Sequence, residues 1–140
     1  MTDQHIAVSP DQYGTGDASF RAAGGEAGIR RLVDCFYDYM ASLPVAAHIR
    51  DMHPADMAGS RDKLFRFLCG WLGGPKLFQE KYGPIRLPVA HQHFEIGHAE
   101  KEAWLTCMKK ALADQPFQES FKVYMLEKLQ FPAEKIRNKD

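Results

Sequence analysis

Apolar side chains recur at helical spacing along most of this chain, and no stretch alternates polar and apolar residues for long enough to suggest a sheet. The clearest stripe follows the i, i+3, i+4, i+7, i+8, i+11 pattern with Ile29, Leu32, Val33, Phe36, Tyr37 and Met40. Similar stripes occur three more times. The sequence therefore predicts an all-α fold with core helices over 29–40, 57–72, 98–113 and 117–131.

Prolines and glycines divide these helices. A short helix over 19–23 is expected to end at Gly24-Gly25, and Pro44 opens a compact corner over 45–53. Prolines between residues 76 and 94 exclude a long helix there, and Pro132 is expected to end the last helix. The connections therefore depart from a simple up-and-down bundle.

Length and charge restrict the organisation and the partners. The 140 residues suit one domain, which we place at 18–132, between a polar extension over 1–17 and a tail over 133–140. Eighteen basic residues balance eighteen acidic ones, so no overall field attracts nucleic acid or anionic lipid. No apolar run could span a bilayer, and no secretory signal is visible, so we expect a cytoplasmic protein.

The three cysteines, Cys35, Cys69 and Cys107, are widely spaced and stand among apolar residues. An odd number without a C-x-x-C pair is not typical of a disulfide framework or a zinc site. We interpret all three as reduced thiols in the core.

Three histidines are the strongest chemical signal, because the motifs of hydrolases, P-loop proteins and dinucleotide-binding proteins are absent. His91, His93 and His98 lie within eight residues. They could form a zinc site with Glu95 or Glu100, or a single one could bind haem iron axially. All three could also be surface histidines, and the spacing alone leaves these alternatives open.

A series of short motifs, in order, makes the choice clearer. They are Gly24-Gly25, Phe36-Tyr37-Asp38, His53-Pro54, Phe67-Leu68, Trp71-Leu72-Gly73-Gly74-Pro75, Tyr82-Gly83, His91-x-x-Phe94-x-Ile96-Gly97 and Ala103-Trp104-Leu105-x-Cys107-Met108. Over residues 19–129 the chain resembles the group II truncated haemoglobins. Each motif alone is weak, whereas the whole series in this order is specific.

The resemblance implies a two-over-two helical sandwich around one haem b. It assigns the iron to His91 and the distal, ligand-facing side to Tyr37, Trp104, His53, Ser60 and Leu64. It implies further haem contacts from Phe67, Lys63, Phe78, Tyr82, Arg86, Phe94, Ile96 and Met108. Of the remaining histidines, His93 and His98 are expected to face solvent.

One departure from the family concerns the haem propionates. Many relatives carry an arginine just before the iron-binding histidine, where this chain has Ala90. Lys63 and Arg86 are the candidate replacements.

The helical stripes independently predict that Tyr37 and Trp104 point inward, where a buried O–H or N–H needs a partner. Without a cofactor, backbone carbonyls would be the expected partners. With one, both groups could donate to a bound ligand.

The function implied by the resemblance is binding of O2, NO and CO at a pentacoordinate haem iron with a polar distal pocket. Two donors would slow O2 release, which favours tight binding over bulk transport. The alternative is a haem enzyme of the nitric-oxide-dioxygenase or peroxidase type, with a reductase as external electron donor. We expect neither nucleic acid nor membrane as a partner.

Overall fold

The computed structural model describes residues 8–53, 56–84 and 96–138, and this part of the chain contains helices and no strand. In chain order the α-helices are α1 (Ala18–Ala22), α2 (Gly25–Ser42), α3 (Ala47–Asp51), α4 (Ala58–Trp71), α5 (Leu77–Tyr82), α6 (His98–Ala113) and α7 (Glu119–Ile136). Short 3-10 turns cover Pro10–Gln12 and Pro44–Ala46. The predicted all-α class is confirmed.

Helix α2 is the centre of the molecule. It packs against α4 on one side and α6 on another, while α6 also packs against α7. Its buried stripe is the predicted one, with Ile29, Leu32, Val33, Phe36 and Met40 fully covered and Tyr37 5% exposed. Since burying a large apolar side chain contributes about 1.5–3 kcal/mol, this stripe fixes which face of α2 points inward.

Two glycines with positive φ separate α1 from α2, namely Gly24 at 82° and Gly25 at 68°. This left-handed backbone favours glycine, because a Cβ would crowd the chain. The turn brings the carbonyl oxygen of Ala23 to 1.8 Å from the position that a Cβ on Gly28 would occupy. The first turn of α2 therefore requires a residue without a side chain at position 28.

We predict that Gly28→Ala destabilises the protein by about 1–3 kcal/mol, because the added methyl group meets backbone that cannot turn aside. Gly59→Ala is the matched control in α4, where a Cβ would meet nothing within 4 Å. That change should be neutral or stabilising by up to about 1 kcal/mol. Guanidinium unfolding of both variants measures the difference, and equal stability would contradict the packing of the α1–α2 turn.

The prediction that Pro132 ends the last helix is wrong. Helix α7 continues through it to Ile136, with Ala133 buried 3% exposed beyond the proline. Pro132 lacks an N–H and so gives up one helical bond, but the turn after it is held by packing and charge. Glu134 accepts a hydrogen bond from Lys101 on α6 at 2.9 Å, which ties this end of α7 to its neighbour.

The residues before α1 also contact α7. The backbone N–H of Val8 donates to Oε1 of Gln118 at 3.0 Å, and the hydroxyls of Tyr13 and Ser120 lie 2.7 Å apart. Val8 itself is buried. The described part of the predicted extension, from residue 8 onward, therefore packs on the helical core.

All three cysteines are free thiols, as predicted. Cys69 and Cys107 are buried in the core, whereas Cys35 is only half-buried and contacts the carboxylate of Asp114. Burial raises the pKa of both Cys35 and Cys69 to about 11, with Asp114 adding to the effect at Cys35. These thiols therefore stay protonated near neutral pH and are poor nucleophiles and metal ligands.

None of the described helices is long and apolar enough to cross a membrane.

Candidate functional site

Two polar aromatic side chains meet around a buried phenylalanine. The ring of Phe36 lies 4.9 Å from that of Tyr37 and 5.0 Å from that of Trp104, measured between centroids. Tyr37 comes from α2 and Trp104 from α6, the two helices that pack most extensively on each other. The predicted inward placement of both side chains is thus observed, and Phe36 sets their spacing.

The hydroxyl of Tyr37 is a buried donor. It donates to the backbone carbonyl of Ser60 at 3.3 Å, longer than the usual O–H···O distance of about 2.7–2.8 Å. Burial raises the pKa of Tyr37 well above its usual value, and the nearby charge of Arg61 opposes this only partly. The phenol is therefore neutral at physiological pH and keeps a proton that it can donate.

The indole of Trp104 is half-buried against Phe36. Within residues 8–53, 56–84 and 96–138 its N–H forms no hydrogen bond. An indole N–H can only donate, so a ligand with an acceptor atom would satisfy it.

His53 stands at the corner that follows α3. Its ring lies edge-on to Tyr37, with 5.9 Å between centroids, and its Nδ1 is 2.8 Å from the carbonyl of Ile49. Because a carbonyl only accepts, Nδ1 carries the proton, and the Nε2 of the neutral ring then presents a lone pair. His53 can donate from Nε2 only when it is protonated.

A cleft of about 640 Å³ opens on the outer side of this corner. Its lining is mixed, with charged and apolar side chains from α3, α4 and the segment between them, including Arg50, His53, Met57 and Arg61. His53 and Arg61 thus lie between the cleft and Tyr37.

The other two predicted distal residues lie on α4. Ser60 and Leu64 are one turn apart and both are half-buried. Ser60 contributes its backbone carbonyl to Tyr37, and Leu64 packs against the core. The structure thus brings Ser60 against Tyr37 by a contact of the main chain rather than of the serine side chain.

The predicted haem contacts fall into two groups in the described part of the chain. Lys63, Phe78 and Tyr82 form a cluster between α4 and α5, with the Tyr82 ring 5.0 Å from Phe78 and 5.5 Å from the Lys63 ammonium. Ile96 and Met108 are buried, and Phe67 is half-buried and stacks on Trp71 at 6.2 Å. His91, Arg86 and Phe94 lie outside the described residues.

Sequence analysis missed a carboxylate at the first of these groups. Asp62 accepts hydrogen bonds from Arg66 at 3.0 Å, Lys81 at 3.0 Å and the Tyr82 hydroxyl at 2.6 Å. The Tyr82 hydroxyl first, and then both cations, hold the pKa of Asp62 far below its usual range. The i, i+4 spacing of Asp62 and Arg66 was visible in the sequence, but the partners from α5 were not.

A second missed contact involves the C-terminal segment. Asn138 exchanges two hydrogen bonds with the backbone of Ile96, through its side-chain oxygen at 2.8 Å and its N–H at 2.7 Å. Residues 96 and 138 have no sequence relationship that would reveal this pairing. It fixes the chain directly before α6.

The zinc alternative loses one of its proposed ligands. Glu100 uses both carboxylate oxygens, accepting from the Gly97 N–H at 2.7 Å and contacting His48 Nδ1 at 2.8 Å, so it caps α6. His98 is exposed, as predicted. The described ranges hold no group of three His, Cys, Asp or Glu side chains suited to a metal.

The donor set fits the haem that the sequence resemblance implies. A gas ligand needs donors in a water-poor site, and the structure places one buried O–H and one indole N–H around the same phenylalanine. Neither donor carries a charge, and large apolar residues of α4 flank them. These residues therefore suit a neutral diatomic molecule rather than an anion.

Comparisons with known proteins agree with this chemistry. The family described as bacterial-like globin matches residues 18–138. Group 2 truncated hemoglobin YjbI of Bacillus subtilis (strain 168) is 31% identical over 122 residues, which cover 87% of this chain and 89% of that protein.

Two solved structures have the same fold. A group II 2-on-2 hemoglobin from Agrobacterium tumefaciens superposes with a TM-score of 0.83 at 31% identity and covers 100% of both chains. A truncated haemoglobin from Bacillus subtilis, described as oxygen-avid, gives a TM-score of 0.78 at 31% identity and covers 86% of this chain and 98% of its own. The predicted two-over-two architecture is therefore confirmed.

Proposed function

Given that the chain belongs to the bacterial-like globin family and is a group II truncated haemoglobin that binds haem and gas, we propose that it holds haem b and retains O2 tightly, with NO and CO as further ligands. The observation that carries this proposal is the buried Tyr37 hydroxyl beside the Trp104 indole. Both are donors, and both belong to helices that the core holds rigidly.

The haem would supply an iron with one axial position held by His91 and the other open to a diatomic gas. Phe67, Phe94, Ile96 and Met108 would contact the porphyrin, and Lys63, Tyr82 and Arg86 would lie at its polar edge. Lys63 and Tyr82 support this edge assignment because they already adjoin each other.

The chain discriminates among gases through hydrogen bonding. O2 polarises more strongly than CO and so accepts better from Tyr37 and Trp104 in a low-dielectric pocket. Each net bond of about 1 kcal/mol corresponds to several-fold in affinity, and two bonds together to about ten- to a hundredfold. To reach a ligand, the Tyr37 hydroxyl exchanges its long bond to Ser60 for a better one.

The proposal is tested by measuring O2 and CO release from the reduced holoprotein by stopped-flow mixing. We expect slow O2 release that depends on Tyr37 and Trp104, and CO release that depends on them much less. Equal dependence for both gases would contradict donation. The enzyme alternative stays a prediction, which steady turnover with peroxide, or with NO and a reductase, would test.

The pH dependence of O2 release follows from the raised pKa of Tyr37. A neutral phenol donates and a phenolate cannot, so ionisation would speed release. Because burial moves this ionisation upward, release should stay constant from about pH 8, where ordinary histidines are neutral, to about pH 10. A rise in rate centred near the ordinary tyrosine pKa of about 10 would contradict the buried position of the hydroxyl.

A further inference from the structure

Arg61 joins α4 to α2 directly beside Tyr37. Its Nη1 donates to the backbone carbonyl of Asp34 at 3.1 Å and to the Asp34 carboxylate at 3.0 Å, and its Nη2 donates to Asp38 at 3.1 Å. The arginine side chain is 28% exposed. Exposed ion pairs contribute little individually, but three bonds from one planar guanidinium, one of them to main chain, fix its orientation.

Tyr37 lies within this bridge. Asp34 and Asp38 are one turn apart on α2, before and after Tyr37, and the guanidinium carbon is 5.5 Å from the centroid of the tyrosine ring. The residue before Arg61 is Ser60, whose carbonyl accepts from the Tyr37 hydroxyl. Two consecutive residues of α4 thus hold the ring and the hydroxyl of the same tyrosine.

We infer that Arg61 is a positioning residue, which orients Tyr37 for donation to the gas ligand by fixing α4 against α2. The inference rests on the proposed function. Arg61 itself lines the outer cleft and makes its bonds to α2, so it acts through Tyr37 and not on the ligand. Neither aspartate nor the arginine was singled out from the sequence, although two carboxylates one turn apart beside Tyr37 require a cation.

A mechanism through Tyr37 makes a specific demand on double variants. Arg61→Gln should speed O2 release about three- to tenfold, since a misplaced donor loses part of its hydrogen bond. In a Tyr37→Phe background the same change should have no further effect, because the donor is already gone. Arg61→Lys should give an intermediate rate, since it keeps the charge and loses the planar fork.

Arg30→Gln is the matched control. Arg30 also bridges α2 and α4 through an aromatic ring, with its guanidinium carbon 3.8 Å from the Phe65 centroid, but it does not contact Tyr37. We expect wild-type O2 release from this variant. The C–O stretching band of the CO-treated reduced protein gives a second readout, which should shift in the same direction for Arg61→Gln and Tyr37→Phe and stay unchanged for Arg30→Gln.

Wild-type release from Arg61→Gln, or equal acceleration with and without Tyr37, would overturn the inference. If Tyr37→Phe speeds release while Arg61→Gln does not, only the positioning role fails. If Tyr37→Phe has no effect, the proposed donor fails and the positioning role fails with it. Should Arg61→Gln not yield folded holoprotein, Asp38→Asn removes the Nη2 bond alone and should accelerate release in the same way.

Discussion

His91→Ala is expected to abolish axial ligation, so that the purified protein loses most of its haem and the remainder no longer shows the spectrum of the wild-type reduced form. The physical reason is that an imidazole nitrogen is the only neutral side-chain donor suited to hold ferrous haem from one side and leave the other open. The measurement is the haem-to-protein ratio and the visible spectrum after purification.

The neighbouring histidines provide the controls. His93→Ala and His98→Ala remove imidazoles two and seven residues away, and His98 is exposed on the first turn of α6. Both variants should retain haem with an unchanged spectrum. Addition of imidazole to His91→Gly should restore the wild-type spectrum. Loss of haem from His93→Ala with retention in His91→Ala would reassign the ligand.

Tyr37→Phe and Trp104→Phe are expected to speed O2 release about several-fold each, and about ten- to a hundredfold together. The phenylalanines preserve the rings around Phe36, so the packing at 4.9 and 5.0 Å is retained while the donors are lost. CO release should change much less. Stopped-flow displacement of O2 measures the rates.

Tyr39→Phe and Trp71→Phe are the matched controls for the loss of a hydroxyl and of an indole. The Tyr39 hydroxyl donates to Asp114, away from Tyr37, and Trp71 stacks on Phe67 near the end of α4. Neither change should alter O2 release. If Tyr39→Phe speeds release as much as Tyr37→Phe does, the effect comes from the packing of α2 and not from donation.

The helices could be predicted where burial and chain breaks agree. Helix α6 begins and ends where the sequence places it, because Gly97 provides the cap position and the segment Asp114–Pro116 cannot continue the stripe. Pro132 misled because its local cost is small beside the burial of Ala133 and the bond from Lys101 to Glu134. A contact between two distant helices decided that boundary.

The same distinction applies to the site. The inward direction of Tyr37 and Trp104 follows from their places on apolar stripes, and the order of short motifs identified the family. The bridges from Arg61 to α2 and from Asn138 to Ile96 join residues 23 and more positions apart and follow no periodicity. Such contacts depend on how helices cross, which one sequence does not reveal.

The most direct test of the account is the visible absorption spectrum of the purified protein, reconstituted with haem if needed, in its ferric, reduced and CO-treated states. The account predicts one haem per chain, a five-coordinate high-spin spectrum on reduction, and complete conversion to a six-coordinate spectrum with CO. A protein that takes up no haem, or a reduced spectrum that CO leaves unchanged, would contradict it.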